Sequence, residues 1–195
     1  AATLTGAELV PLVQSGANVK ATLSSLSSFS RVFGAFSSSI QQTGNVSTPT
    51  AMTCSSTDIA DGITLVSGSR FTVPVTGIYN LQLSAQLLNY TTTEDNVTIW
   101  LRKNGTDVSA SAGIVEVSPK HGTAPGAYIA AWNYFLDLAA GDYVQLVWAV
   151  TTTGISIVTT GAQSSPTVPV TPGVITASIT NICPVMGSSN TVNYK

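Results

Sequence analysis

Between Gly77 and Asn89 apolar and polar side chains alternate, cleanly from Tyr79 to Leu87, GIYNLQLSAQLLN. A period of two marks a strand with one face on a core and the other on water. Tyr79, Leu81, Leu83, Ala85 and Leu87 fall on the core side, and Asn80, Gln82, Ser84 and Gln86 on the outside. Glu94-Asp95-Asn96 reads as a turn, after which Val97, Ile99 and Leu101 alternate with Thr98, Trp100 and Arg102. Asn104-Gly105 follows at once, the dipeptide that most favours a two-residue hairpin turn. Ile114 to Val117 reads as a short strand, and a Pro/Gly loop covers Ser118 to Gly126. A long strand from Tyr128 to Leu138 turns at Ala139-Ala140-Gly141-Asp142 and returns from Tyr143 to Val150. Ile155 to Thr159 and Val174 to Ile182 complete the set, while Pro166, Pro169 and Pro172 exclude a central strand between them. Strands without helical period predict an all-β, double-sheet Greek-key sandwich of the jelly-roll type.

The first third follows a different pattern. Thr3 to Val13 is extended, apolar and interrupted by Pro11, and Gly16 breaks it. With Asn18 as N-cap, Val19, Leu23, Leu26, Phe29 and Phe33 recur at spacings of four, three, three and four. That is one face of a short amphipathic helix. Its other face is nearly all Ser, a modest helix former, so the helix needs a surface to dock on. That surface is either its own sandwich or another protein. Phe36 to Pro49 is polar, Ser-rich and aperiodic, as in a linker. The expected organisation is an N-terminal arm with one helix over 1–36, a linker over 37–49 and the jelly roll over 50–195. The docking side chains of the arm are Leu4, Leu9, Val10, Leu12, Val13, Leu23, Leu26, Phe29 and Phe33.

Composition narrows the function. Charged residues are 8% of the 195, against about 25% in ordinary soluble proteins. The polar surface is therefore hydroxyl and amide. A net charge of −2 with scattered basic residues argues against nucleic acid, whose phosphates demand clustered Lys and Arg. The most apolar stretch, Tyr128 to Val150, carries Asp137 and Asp142 at its middle, so two buried strands are expected rather than membrane insertion. Ala1-Ala2-Thr3 has neither the basic nor the apolar region of a secretory signal.

Catalysis needs a base, a nucleophile or a metal at close quarters. The single histidine, His121, sits in a loop without a nucleophile elbow in the sequence. Glu94-Asp95-Asn96 reads as a solvated turn in preference to a cation site, and Asp142 as a cap on turn amides. No enzyme and no cofactor are expected. Cys54 and Cys183 lack metal-ligand spacing and are either two buried thiols or one disulfide between the first and last strands. Parity puts Trp100 opposite Val97, Ile99 and Leu101, hence either exposed or in a subunit interface. Tyr134 and Trp148 are the other interface candidates, with the core as the alternative for Trp132 and Trp148.

Phe71-Thr72-Val73-Pro74 with Gly77-Ile78-Tyr79 resembles the F-x-x-P-x-x-G-x-Y strand pair of the complement-globular-head/tumour-necrosis-factor-like jelly roll. Lys103-Asn104-Gly105 resembles the K-N-G hairpin that follows it there. Leu136-x-Leu138-x-x-Gly141-Asp142-x-Val144-x-Leu146 resembles that family's next strand pair. The three arrive in the family's order. Thr5-Gly6-Ala7-Glu8-Leu9-Val10-Pro11-Leu12-Val13-Gln14 and Lys20-Ala21-Thr22-Leu23 are similar to the opening of many bacteriophage structural proteins, a virion-docking element ahead of an exposed domain. Together the resemblances imply a homotrimer on the virion surface, made in the host cytoplasm and bound to the major capsid or another virion protein. Capsid decoration or a head fibre is the first expectation. A receptor-binding tail-fibre tip is the second, recognising a host surface glycan or protein through the loops His121–Tyr128 and Ser164–Pro172. A secreted bacterial adhesive is a third, weakened by the lack of a signal sequence.

Overall fold

A computed structural model describes residues 5, 7–22, 32–46 and 48–184. Every regular element among them is a strand. The N-terminal segment holds β1 (Leu9–Gln14) and β2 (Ala17–Thr22). Then come β3 (Phe33–Ser38), β4 (Gln42–Thr43), β5 (Thr50–Ala51), β6 (Ser56–Asp61), β7 (Thr64–Val66) and β8 (Arg70–Thr72). The long β9 (Gly77–Asn89) is followed by β10 (Asp95–Lys103), β11 (Thr106–Asp107) and β12 (Gly113–Val117). β13 (Gly126–Leu138), β14 (Tyr143–Val150), β15 (Ile155–Ile157), β16 (Gln163–Ser164), β17 (Thr167–Val168) and β18 (Val174–Pro184) complete the described elements.

Two seven-stranded antiparallel sheets enclose one core. One sheet has the order β11-β10-β14-β8-β7, with β12 added to β10 and β5 to β14. The other has the order β4-β15-β9-β18-β3-β6, with β13 added to β9. The alternation in β9 is realised in full. Tyr79, Leu81, Leu83, Ala85 and Leu87 are buried and meet Val97, Ile99, Leu101, Val144, Leu146 and Trp148 from the opposite sheet. The apolar stretch 128–150 is the β13–β14 strand pair, and among the described residues no helix is long and apolar enough to cross a membrane.

Two expectations about the N-terminal third need correction. The two ends of the expected helix are in strands: Val19 lies in β2 (Ala17–Thr22) and Phe33 opens β3 (Phe33–Ser38). Ser15 and Gly16 have φ of +52° and +79°, the left-handed pair that a two-residue hairpin turn requires. They reverse β1 onto β2, so that Leu12 faces Val19 and Val10 faces Ala21. Asn104 and Gly105, at +48° and +84°, make the same turn between β10 and β11, as the sequence implied. Leu23, Leu26 and Phe29 lie outside the described residues, as does Leu4.

The second correction concerns the domain boundary. β3 is an interior strand, hydrogen-bonded to β18 on one side and β6 on the other. Phe36 is fully buried, its ring 5.2 Å from that of Phe71 across the core. Phe33 therefore belongs to the sandwich and not to an arm. The stretch expected as linker is tied down as well. β4 pairs with β15, and the Gln42 side chain accepts from Thr53 N at 2.8 Å and donates to Thr53 O at 2.9 Å. Among the described residues the sandwich is reached by Val32, whose carbonyl accepts from Asn181 N.

Candidate functional site

The residues expected to carry chemistry are placed structurally. Asp142 accepts from Ala139 N at 2.8 Å, closing its own turn as predicted. The same carboxylate pairs with Lys103 Nζ at 2.8 Å and accepts from Asn104 Nδ2 at 2.6 Å, while Asn104 Oδ1 receives Tyr143 N. Two of the motifs behind the family resemblance, Lys103-Asn104-Gly105 and Gly141-Asp142, thus meet in space and lock two turns together. The hydrogen bond from Lys103, with those from Asn104 and Ala139, holds the Asp142 carboxyl below its ordinary range. A group whose pKa is depressed by folding adds stability above its unfolded value, about 3.9, and loses it as pH falls through the folded value. Urea midpoints of the wild type are expected to fall between pH 5 and pH 2 by more than those of Asp142→Asn. Parallel pH profiles for the two proteins would refute this.

At the opposite end of β9, Asn89 is fully buried and fully bonded. Its Nδ2 donates to Thr93 O and Val117 O, and its Oδ1 accepts from Thr91 N. Asp95, also buried, accepts from Thr91 Oγ1 at 2.7 Å and Thr152 Oγ1 at 2.9 Å. These contacts close the loop after β9, and the turn expected at Glu94-Asp95-Asn96 is the start of β10. His121 is exposed in a tight turn with Ala124. Cys54 is a free thiol, buried and pushed up to about 12 by desolvation and then by Asp58, so it is a packed side chain and not a nucleophile. It forms no disulfide here, and the side chain of Cys183 lies outside those described. Among the described residues no group of three or more His, Cys, Asp or Glu could hold a metal ion.

What the molecule presents instead is surface. In the N-terminal hairpin β1 and β2 form a sheet of their own, with Leu9, Leu12 and Val13 exposed and Val10 half-buried. Of the three interface candidates, Trp148 is only 1% exposed and lies inside the core of a single chain, so it is no interface residue. Trp100 is half-buried on the outer face, its indole N–H donating to Asp107, which also pairs with Arg102 at 2.7 Å. Tyr134 is half-buried at the open side of the sandwich and donates from its hydroxyl to Ser111 O. Both are held by their own chain.

The bare apolar surface that sequence reasoning missed lies on β13. This strand pairs with β9 along all thirteen residues, and among the described residues nothing pairs with its other edge. Its even row, through Ala130, Trp132, Tyr134 and Leu136, leans on the core. Its odd row points outward, and there Ile129 is 55% and Phe135 65% exposed. Beside them a shallow cleft of about 320 Å³ opens between Gln82, Ser84, Ala131, Asn133 and Thr176. Asn80 Nδ2 donates to Asn133 Oδ1 at its rim. The strand parity that placed Tyr79 inside would also have placed Phe135 outside. That β13 ends the sheet is a matter of topology and has no local signal. No family model matches this chain, and no curated protein matches it.

Proposed function

We propose that this chain is a non-enzymatic structural protein of the surface of a phage particle, a homotrimeric jelly roll held to the virion by its N-terminal segment. Capsid decoration or a head fibre is the form that fits best. The observation that carries this reading is the β1–β2 hairpin. A lone two-stranded sheet is marginal in water, yet this one leaves Leu9, Leu12 and Val13 in solvent. Such a hairpin gains stability by burying those side chains on a partner, here the capsid or another virion protein. The jelly-roll assignment is supported by the connectivity, in which the last strand, β18, returns to lie between β3 and β9. A charge-poor, hydroxyl-rich exterior suits lasting exposure on a particle.

Removing residues 1–31 tests the reading, because the strands described within them, β1 and β2, form a sheet apart from the two large ones. The shortened protein is expected to stay folded and to lose attachment to particles by at least a hundredfold in a co-sedimentation assay. Replacing Leu9, Leu12 and Val13 together by Ser should do the same in the full chain. Undiminished attachment sinks the reading. A shortened protein that binds host cells and blocks infection transfers the role to a receptor-binding tip.

A further inference from the structure

We propose that Asn104 is a latent modification site, a deamidation site that Asp142 and Tyr143 hold shut and that reacts irreversibly when they let go.

The liability comes from the turn itself. A two-residue hairpin between β10 and β11 needs φ above zero at both central residues, here +48° at Asn104 and +84° at Gly105. Asparagine and glycine adopt those angles most readily. Asn104-Gly105 is the one Asn-Gly pair in the 195-residue sequence. The same pair is chemically labile, because glycine has no side chain to shield its amide nitrogen. The Gly105 nitrogen attacks Asn104 Cγ and gives up its proton. The Cγ–Nδ2 bond breaks, the amide nitrogen leaves with that proton as ammonia, and a five-membered succinimide remains. Water then adds to either carbonyl of the ring, leaving aspartate or isoaspartate at residue 104. Nothing is oxidised or reduced, and water is the only co-reactant.

Burial does not protect the pair, since both residues are exposed. Three hydrogen bonds do. Asn104 N donates to Tyr143 O at 3.0 Å, Asn104 Oδ1 accepts from Tyr143 N at 2.9 Å, and Asn104 Nδ2 donates to Asp142 Oδ1 at 2.6 Å. The side-chain amide is thus gripped at both ends from the start of β14. It cannot turn the face of Cγ toward the Gly105 nitrogen without breaking both of its bonds. Its orientation is unique, because a flipped amide would set acceptor against acceptor and donor against donor. The bond to Asp142 is the stronger one, since its acceptor is charged and only 15% of that side chain is exposed.

The product does not fit where the amide was. A carboxylate at residue 104 faces the Asp142 carboxylate where an N–H now donates, and like charges so close repel. The isoaspartyl form also adds an atom to the main chain, which the pairing of Lys103 with Thr106 across the turn does not accommodate. One opening long enough for ring closure therefore parts the two turns for good.

The test is peptide mapping by mass spectrometry of the full chain during prolonged incubation in mildly alkaline buffer. The folded wild type is expected to keep Asn104 intact while the same chain in urea loses it. Asp142→Ala removes the charged acceptor. Asp142→Ser shortens the side chain, so that it still closes its own turn but no longer reaches Asn104. A variant that keeps the wild-type circular dichroism should deamidate at residue 104 roughly tenfold faster or more, the weight of one hydrogen bond to a charged acceptor. Lys103→Met takes away the other partner of Asp142 without touching the Asn104 amide, and should leave the rate unchanged. Equal acceleration by Lys103→Met overturns the proposal, because general loosening of the turns would then set the rate. So does a folded wild type that loses Asn104 as fast as the chain in urea. A folded Asp142 variant that loses it no faster than the wild type overturns it as well.

Discussion

A chain shortened by 31 residues is expected to unfold at the same urea concentration as the full protein, whereas one shortened by 49 does not fold. The difference is β3. Removing residues 1–31 takes away a separate hairpin and the stretch that joins it to Val32. Removing 18 more takes the strand that lies between β18 and β6, together with β4, the partner of β15. β6 then has no neighbour, β18 becomes an edge, and Phe71 loses the ring it packs on. Phe36→Ala alone should cost about 3–5 kcal/mol, since truncating a fully buried Phe forfeits its transfer energy and leaves a cavity. Domains of this size have only about 5–15 kcal/mol in hand. Circular dichroism and urea titration of the three proteins decide the matter. An unchanged midpoint for Phe36→Ala would show that β3 is dispensable and that the arm does extend to residue 36.

The contrast between β3 and β9 shows what the sequence could and could not announce. In β9 the inward positions from Tyr79 to Leu87 are apolar and large, apart from Ala85, and every outward one up to Gln86 is polar except Ile78, so a period of two stands out. In β3 the inward row is Gly34, Phe36 and Ser38, and the outward row is Phe33, Ala35 and Ser37. One aromatic in each row, with small residues elsewhere, leaves no alternation to detect. Gly34 is there because the Phe36 ring comes back over it: a Cβ at residue 34 would stand 2.7 Å from that ring. The helical spacing of Val19, Leu23, Leu26, Phe29 and Phe33 misled for a related reason. Its first member pairs across a hairpin with Leu12 and its last with Asp61 and Thr180 in a sheet, so a regular spacing links two unrelated strands. Ser15-Gly16 was the stronger local signal, a hairpin turn between two runs of β-formers, and it outranks periodicity over so short a span. The exposed apolar face of β13 was legible only in half. Parity gives the outward direction of Ile129 and Phe135, but their exposure follows from β13 having a neighbour on one side alone.

Trp148→Ala separates the interior from that surface. Trp148 projects from β14 into the core at the level of Ile99, its register partner on β10, and is only 1% exposed. Its removal is expected to cost about 3–5 kcal/mol, the range for emptying a large aromatic site in a packed core. The protein that remains folded should keep the oligomeric state of the wild type. Phe135→Ala, at an exposed side chain of that face, is expected to change the stability of the folded chain by no more than about 0.5 kcal/mol, as for exposed side chains generally. Urea titration of both variants, with native mass for Trp148→Ala, reads these effects. Had Trp148 served the interface, its alanine variant would be a stable monomer, because an interface aromatic contributes to association and leaves the isolated fold intact. A buried one cannot behave that way: the cavity it leaves is inside each chain, and no arrangement of partners can fill it.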